Sequence, residues 1–91
     1  FEALEVRMAK EKPQLVPGLT ALKKAMSAPA FERLINSLLN INLGEDALLL
    51  VAGDERVRTE LIGKYLPVIK AAFNVSNVRV VGGARNGLDA Y

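Results

Sequence analysis

The sequence predicts an α+β fold, a two-layer sandwich with helices packed on a small three-stranded mixed sheet. Three observations predict it. Apolar residues recur at three- and four-residue spacing as far as Leu39, and the pattern then turns to alternation on either side of Gly44-Glu45-Asp46. A long amphipathic stretch, Glu55 to Phe73, separates that alternating region from a last β-branched run, Val78-Arg79-Val80-Val81. The first spacing belongs to helices and the second to strands, because side chains wind around a helix but alternate across a strand. Helices, a hairpin, a long helix and a strand, in that order, are expected to form one sheet with one covered face.

The first helix is expected over Phe1–Lys12, with Phe1, Leu4 and Met8 on one side and charges between them. Pro13 ends it, since proline lacks an N–H and its ring clashes with the preceding turn. So short a helix needs a surface to dock on. Pro17-Gly18 marks a turn or a second helix start, followed by the stripe Leu19, Leu22 and Met26, with Lys23 and Lys24 beside it in water. Ser27 is the expected N-cap of the next helix, and Pro29 falls in its first turn, where a missing N–H costs nothing. Phe31, Leu34, Ile35, Leu38 and Leu39 make its apolar face, while Glu32, Arg33, Asn36 and Ser37 point the other way.

Gly44 and Asp46 are turn formers, so Ile41–Leu43 and Leu48–Val51 are expected to pair as a hairpin. The run Ala47–Ala52 is apolar on both faces. Asp54 is the expected N-cap of the long helix: its carboxylate accepts from N–H groups two and three residues on, and its charge suits the positive helix end. Val57, Leu61, Tyr65, Ile69 and Phe73 follow at i+4 spacing, widened by Leu66 and Ala72, and Pro67 inside the pattern predicts a kink or a restart. After a turn at Asn74-Val75-Ser76-Asn77, the last strand is expected beside the first, parallel to one neighbour, through a right-handed crossover. The predicted core is Phe31, Ile35, Leu38, Leu50, Leu61, Tyr65, Ile69 and Val80. Residues 1–81 make one domain, and 82–91 read as a Gly-rich linker or tail.

Composition removes whole classes of chemistry. The 91 residues suffice for one small domain, and at 51% hydrophobic they are too apolar for a disordered tail. A formal net charge of +2 is too nearly neutral to announce nucleic acid by charge alone. With no His and no Cys there is no zinc site built on those ligands, no disulfide, no Ser-His-Asp triad and no Cys-His nucleophile. The longest unbroken apolar run, Ala47–Ala52, is six residues against the ~20 a bilayer span needs. No signal-peptide pattern follows Phe1. These readings point to a cytoplasmic location, no membrane partner, no cofactor and no metal. The missing initiator Met points to a longer parent chain.

No arrangement of residues points to catalysis, and the chain is read as a non-enzyme. Glu45-Asp46 and Asp54-Glu55 are adjacent pairs that do not converge on one point, and a turn and a helix cap explain them. Gly82-Gly83-Ala84-Arg85-Asn86-Gly87 lacks the Gly-Lys-Ser/Thr of a phosphate loop. The element order is KH-like, but the Gly-x-x-Gly clamp of KH domains is missing; the helix junction reads Ser27-Ala28-Pro29-Ala30. Phe31, Tyr65 and Phe73 lie on core stripes, so no stacking platform is expected. Arg56, Arg58, Lys64, Lys70 and Arg79 outline a basic face, yet Glu55 and Glu60 interleave with it. Direct nucleic-acid binding is expected to be weak or absent.

Segment 27–81 resembles the N-terminal domain of the bacterial replication initiator DnaA. The resemblance rests on Ser27-Ala28-Pro29-Ala30-Phe31-Glu32-Arg33-Leu34, on Ala47-Leu48-Leu49-Leu50-Val51-Ala52-Gly53-Asp54-Glu55, and on Arg58, Leu61 and Lys64-Tyr65-Leu66-Pro67-Val68-Ile69. It implies a non-catalytic protein-interaction module that recruits the replicative helicase or an initiation regulator. It places partner contacts at Leu34, Asp54, Arg56, Val57 and Glu60. The sequence departs from the family where it matters for contact: Leu34 and Glu60 stand at tryptophan positions, Gly53-Asp54 at a Pro-Asn turn, and Arg56 at an exposed aromatic. With Asp54 consumed by capping, Arg56 and Glu60 are expected to be free, and the contact to be more electrostatic and salt-sensitive than an aromatic anchor. The resemblance also implies self-association through the first helix, here a homodimer through Leu4 and Met8 if they lie exposed. Lys10-Glu11-Lys12-Pro13-Gln14-Leu15 is similar to the start of a domain in the C-terminal part of the polymerase III tau clamp-loader subunit, the alternative family. A KH-like single-strand binder is the other alternative.

Overall fold

The computed structural model describes residues 3–82. In order, these form α1 (Leu4–Glu11), a 3-10 turn (Pro13–Leu15), α2 (Val16–Ala25), α3 (Ala28–Ala30) with a π-helical continuation (Phe31–Ile35), β1 (Asn40–Leu43), β2 (Ala47–Val51), α4 (Glu55–Glu60), a second π-helical segment (Leu61–Tyr65), α5 (Leu66–Phe73) and β3 (Asn77–Val81). This is the α+β fold that the sequence predicts, helices on a three-stranded mixed sheet. Phe1 and most of the Gly-rich tail lie outside the described residues.

β1 pairs antiparallel with β2, Ile41 opposite Leu50, and β3 pairs parallel with β2, Val80 opposite Leu50. The strand order is β1-β2-β3. The last strand therefore joins the second strand, which corrects the sequence's prediction that it lies beside the first. The reason is physical. β2 is apolar on both faces and suits the centre, whereas the outer side of β1 is taken by Lys12, whose Nζ donates to the Ile41 carbonyl at 2.7 Å and to Asn40 Oδ1 and Asn42 Oδ1 at 3.0 and 2.7 Å. Ile41, Leu48, Leu50 and Val80 are buried beneath the helices, and the opposite face carries half-buried Leu49, Val51 and Val81 beside exposed Asn42 and Arg79.

Of the predicted core, all but Tyr65 are buried; Tyr65 is half-buried and packs against the cluster. Leu39 leaves the apolar face of its helix and is 44% exposed, because the chain has already turned into β1. Asn36 is a second correction: it does not face water but is buried, and its Oδ1 accepts the Glu5 N–H at 3.1 Å. α1 begins at an N-cap, Ala3, with no side chain able to cap it, so Asn36 meets an otherwise orphaned donor from across the fold. Asn36 Nδ2 donates to both Glu32 carboxylate oxygens, at 2.8 and 3.0 Å. Arg7 Nη2 donates to the Leu39 carbonyl at 3.0 Å, and Lys23 pairs with Glu5 at 3.3 Å. Thus α1 is pinned along its length.

Local chemistry sets the remaining turns. Ser27 Oγ accepts the Ala30 N–H at 3.3 Å, the cap expected there. Pro67 falls in the first turn of α5, just after the wide π-helical turn at Leu61–Tyr65. Tyr65, at φ −118° and ψ 0°, lets the helix restart without the clash a proline makes inside a regular helix. α5 ends at Asn74 in the left-handed region, φ 55°, which Asn tolerates better than other side-chain-bearing residues, and Val75 N–H closes back on the Lys70 carbonyl at 3.1 Å. Gly18 is buried in α2 directly beneath the Phe73 ring, where any Cβ would overlap the aromatic carbons.

Candidate partner-binding surface

The surface suggested by the sequence lies around the start of α4. Strand β2 delivers the chain to Gly53-Asp54, and Asp54 turns it into the helix: its Oδ1 accepts the Arg56 N–H at 2.8 Å. Capping uses the carboxylate locally, as expected. The Arg56 side chain is 93% exposed, and its nearest charged neighbour is Asp54 Oδ2 at 3.8 Å. One turn on, Arg58 pairs with Glu55 through Nε at 3.1 Å and Nη2 at 3.0 Å. This pair holds the Glu55 carboxyl below its ordinary range, chiefly through the hydrogen bonds from Arg58.

Glu60 is not free. Arg33, projecting from the π-helical continuation of α3, grips it with two parallel bonds, Nη1–Oε1 at 2.7 Å and Nη2–Oε2 at 2.9 Å. Those hydrogen bonds lower the Glu60 pKa and raise that of Arg33. The fork-on-carboxylate geometry ties two helices that are distant in sequence. Glu55, Arg56, Thr59, Glu60 and Lys64 line a shallow groove on this side of the molecule.

The structure therefore divides the residues that the resemblance implied. Arg56 is presented to solvent. Asp54 lies beside it but is committed to the cap, and Glu60 is committed to Arg33. Val57 is half-buried and packs against the core. Leu34 is fully buried, so its side chain offers nothing to a partner. Leu4 and Met8 are likewise at 0% exposure inside the core of their own chain, so the exposed patch required for self-association through them is not there. Arg33 was missed. Its outward position in the helix was legible, but its pairing with a residue 27 positions later was not.

No family model, no curated protein and no solved structure matches this chain.

Proposed function

We propose that this chain is a non-catalytic protein-interaction module of a bacterial replication protein, similar to the DnaA N-terminal domain. It docks a partner, the replicative helicase or an initiation regulator, at the start of α4. The observation that carries this reading is a charged side chain, Arg56, held out into solvent from a rigid frame. The Asp54 cap fixes its backbone, and the Arg33–Glu60 fork holds the far end of α4 against the preceding helix. A group on a braced element loses little freedom on binding, which favours contact by a small surface.

Capture of purified replicative helicase by the immobilised domain tests the reading. Arg56→Glu should weaken capture about tenfold or more, the weight of ~1.4 kcal/mol in binding. It should shift stability by no more than ~0.5 kcal/mol, as exposed changes usually do. Wild-type capture should also fall with added salt, since exposed charges are screened. Equal capture by the two proteins at low and high salt would remove Arg56 from the site.

A further inference from the structure

The two edges of the sheet are treated differently. On β1 the Lys12 ammonium covers the outward Ile41 carbonyl. On β3 nothing comparable is present among the described residues, and the direction of its backbone groups can be deduced. Asn77 N–H donates to the Asp46 carbonyl at 3.2 Å, and the Val81 carbonyl accepts the Ala52 N–H at 2.9 Å, so residues 77 and 81 address the β2 side. Backbone groups alternate along a strand as side chains do. Arg79 therefore also addresses β2, while the N–H and C=O of Val78 and Val80 point to the open edge, a ready template for another strand.

That edge borders a groove lined by Arg58, Ile62, Leu66 and the strand from Val78 to Gly82. Its helical wall sets the apolar Ile62 and Leu66 beside Arg58, and Ile62 is 40% exposed. The charged residues lining it are both cationic. Arg58 shares Glu55, but Arg79 has no hydrogen-bond or ion-pair partner among the described residues. Arg79 lies on the opposite face of the strand from Val78 and Val80, away from the helices. An incoming strand would thus meet apolar side chains on one of its faces and an unneutralised guanidinium on the other.

We propose that the β3 edge accepts an extended acidic peptide from a partner protein as a fourth strand. Its backbone bonds to Val78 and Val80, its apolar side chains rest on Ile62 and Leu66, and an alternate Asp or Glu meets Arg79. Strand addition of this kind takes affinity from main-chain bonds and specificity from alternate side chains. A second copy of this chain is the poorer occupant: two β3 strands paired about a two-fold axis at Arg79 would set like charges directly opposite one another. The proposal does not depend on the α4 surface described above.

The probe is an end-blocked hexapeptide of alternating Glu and Val, with an alternating Lys and Val peptide as its counterpart, titrated into the isotopically labelled chain. The acidic probe should slow hydrogen exchange at the Val78 and Val80 amides about tenfold at saturation, the occupancy effect of a bound edge, and leave the Arg79 amide unchanged. Arg79→Glu should reverse the preference, so that the Lys-Val peptide protects the same two amides. Protection by neither probe would overturn the proposal, as would equal protection by both in the wild-type chain. Protection before any probe is added would also overturn it, assigning the edge to residues 83–91 if removing them abolishes the effect, or to a second copy if dilution does.

Discussion

At the scale of single residues, the most consequential side chain is one that is absent. Gly18 lets Phe73 lie flat on α2, and a methyl group there would push the ring out of a packed interface. Gly18→Ala is expected to cost about 1–3 kcal/mol, the usual penalty of overpacking, despite the better helix propensity of alanine. The midpoint of urea unfolding measures it. Asn36 is the second such residue. Asn36→Ala leaves the Glu5 N–H without its acceptor and should cost about 1–3 kcal/mol by the same measurement. The caps Ser27 and Asp54 were legible in the sequence because each acts on residues two or three positions away. Asn36 was not, since its partner lies 31 positions earlier and the local pattern placed it on the wet side of its helix. Leu34 misled in the opposite sense: the family position it fills suggested contact, while its own apolar spacing had already placed it in the core.

Among elements, the Arg33–Glu60 fork is the described ion pair that joins the α3 continuation to α4. Because folding lowers the Glu60 pKa, its contribution is present at neutral pH and is lost as acid protonates the carboxylate through the lowered folded value. Arg33→Ala should therefore flatten the fall of stability with pH in the acid range, below about pH 4–5, and leave the neutral-to-alkaline range with no new slope. Chemical denaturation across that range reads it. The order of the elements was legible because each has a period and a boundary residue of its own. Which strand stands beside β3 was not: the alternation is compatible with either neighbour, and the choice falls to Lys12, a side chain just past the end of α1 that occupies the β1 edge.

Over the whole molecule, one hydrophobic cluster runs from Leu4 in α1 through Leu61 and Ile69 to Val80 in β3, with no division between helices and sheet. Leu61→Ala should cost about 2–5 kcal/mol, as core leucine deletions do, a large share of the stability of so small a domain. A loss under ~1 kcal/mol would mean that the long helix does not bear on the core as described. The burial of Met8 has a sharper corollary. Met8→Asp should lower helical circular dichroism and near-ultraviolet signal together, because it puts a charge in the core; a fully folded variant with a reduced mass would instead restore α1 to an interface role.

The pinning of α1 also orders events in time. Its fastenings are Lys23, 18 positions beyond Glu5, and then Asn36, the carbonyls of Leu38 and Leu39, and Asn40, Ile41 and Asn42, about thirty positions downstream. A helix of eight residues has little persistence by itself in water. As the chain leaves the ribosome, α1 therefore emerges ahead of its fastenings and cannot lock until the α3 continuation and β1 have followed it out. It stays open until they arrive, and the Lys12 ammonium that closes the β1 edge comes into place only then.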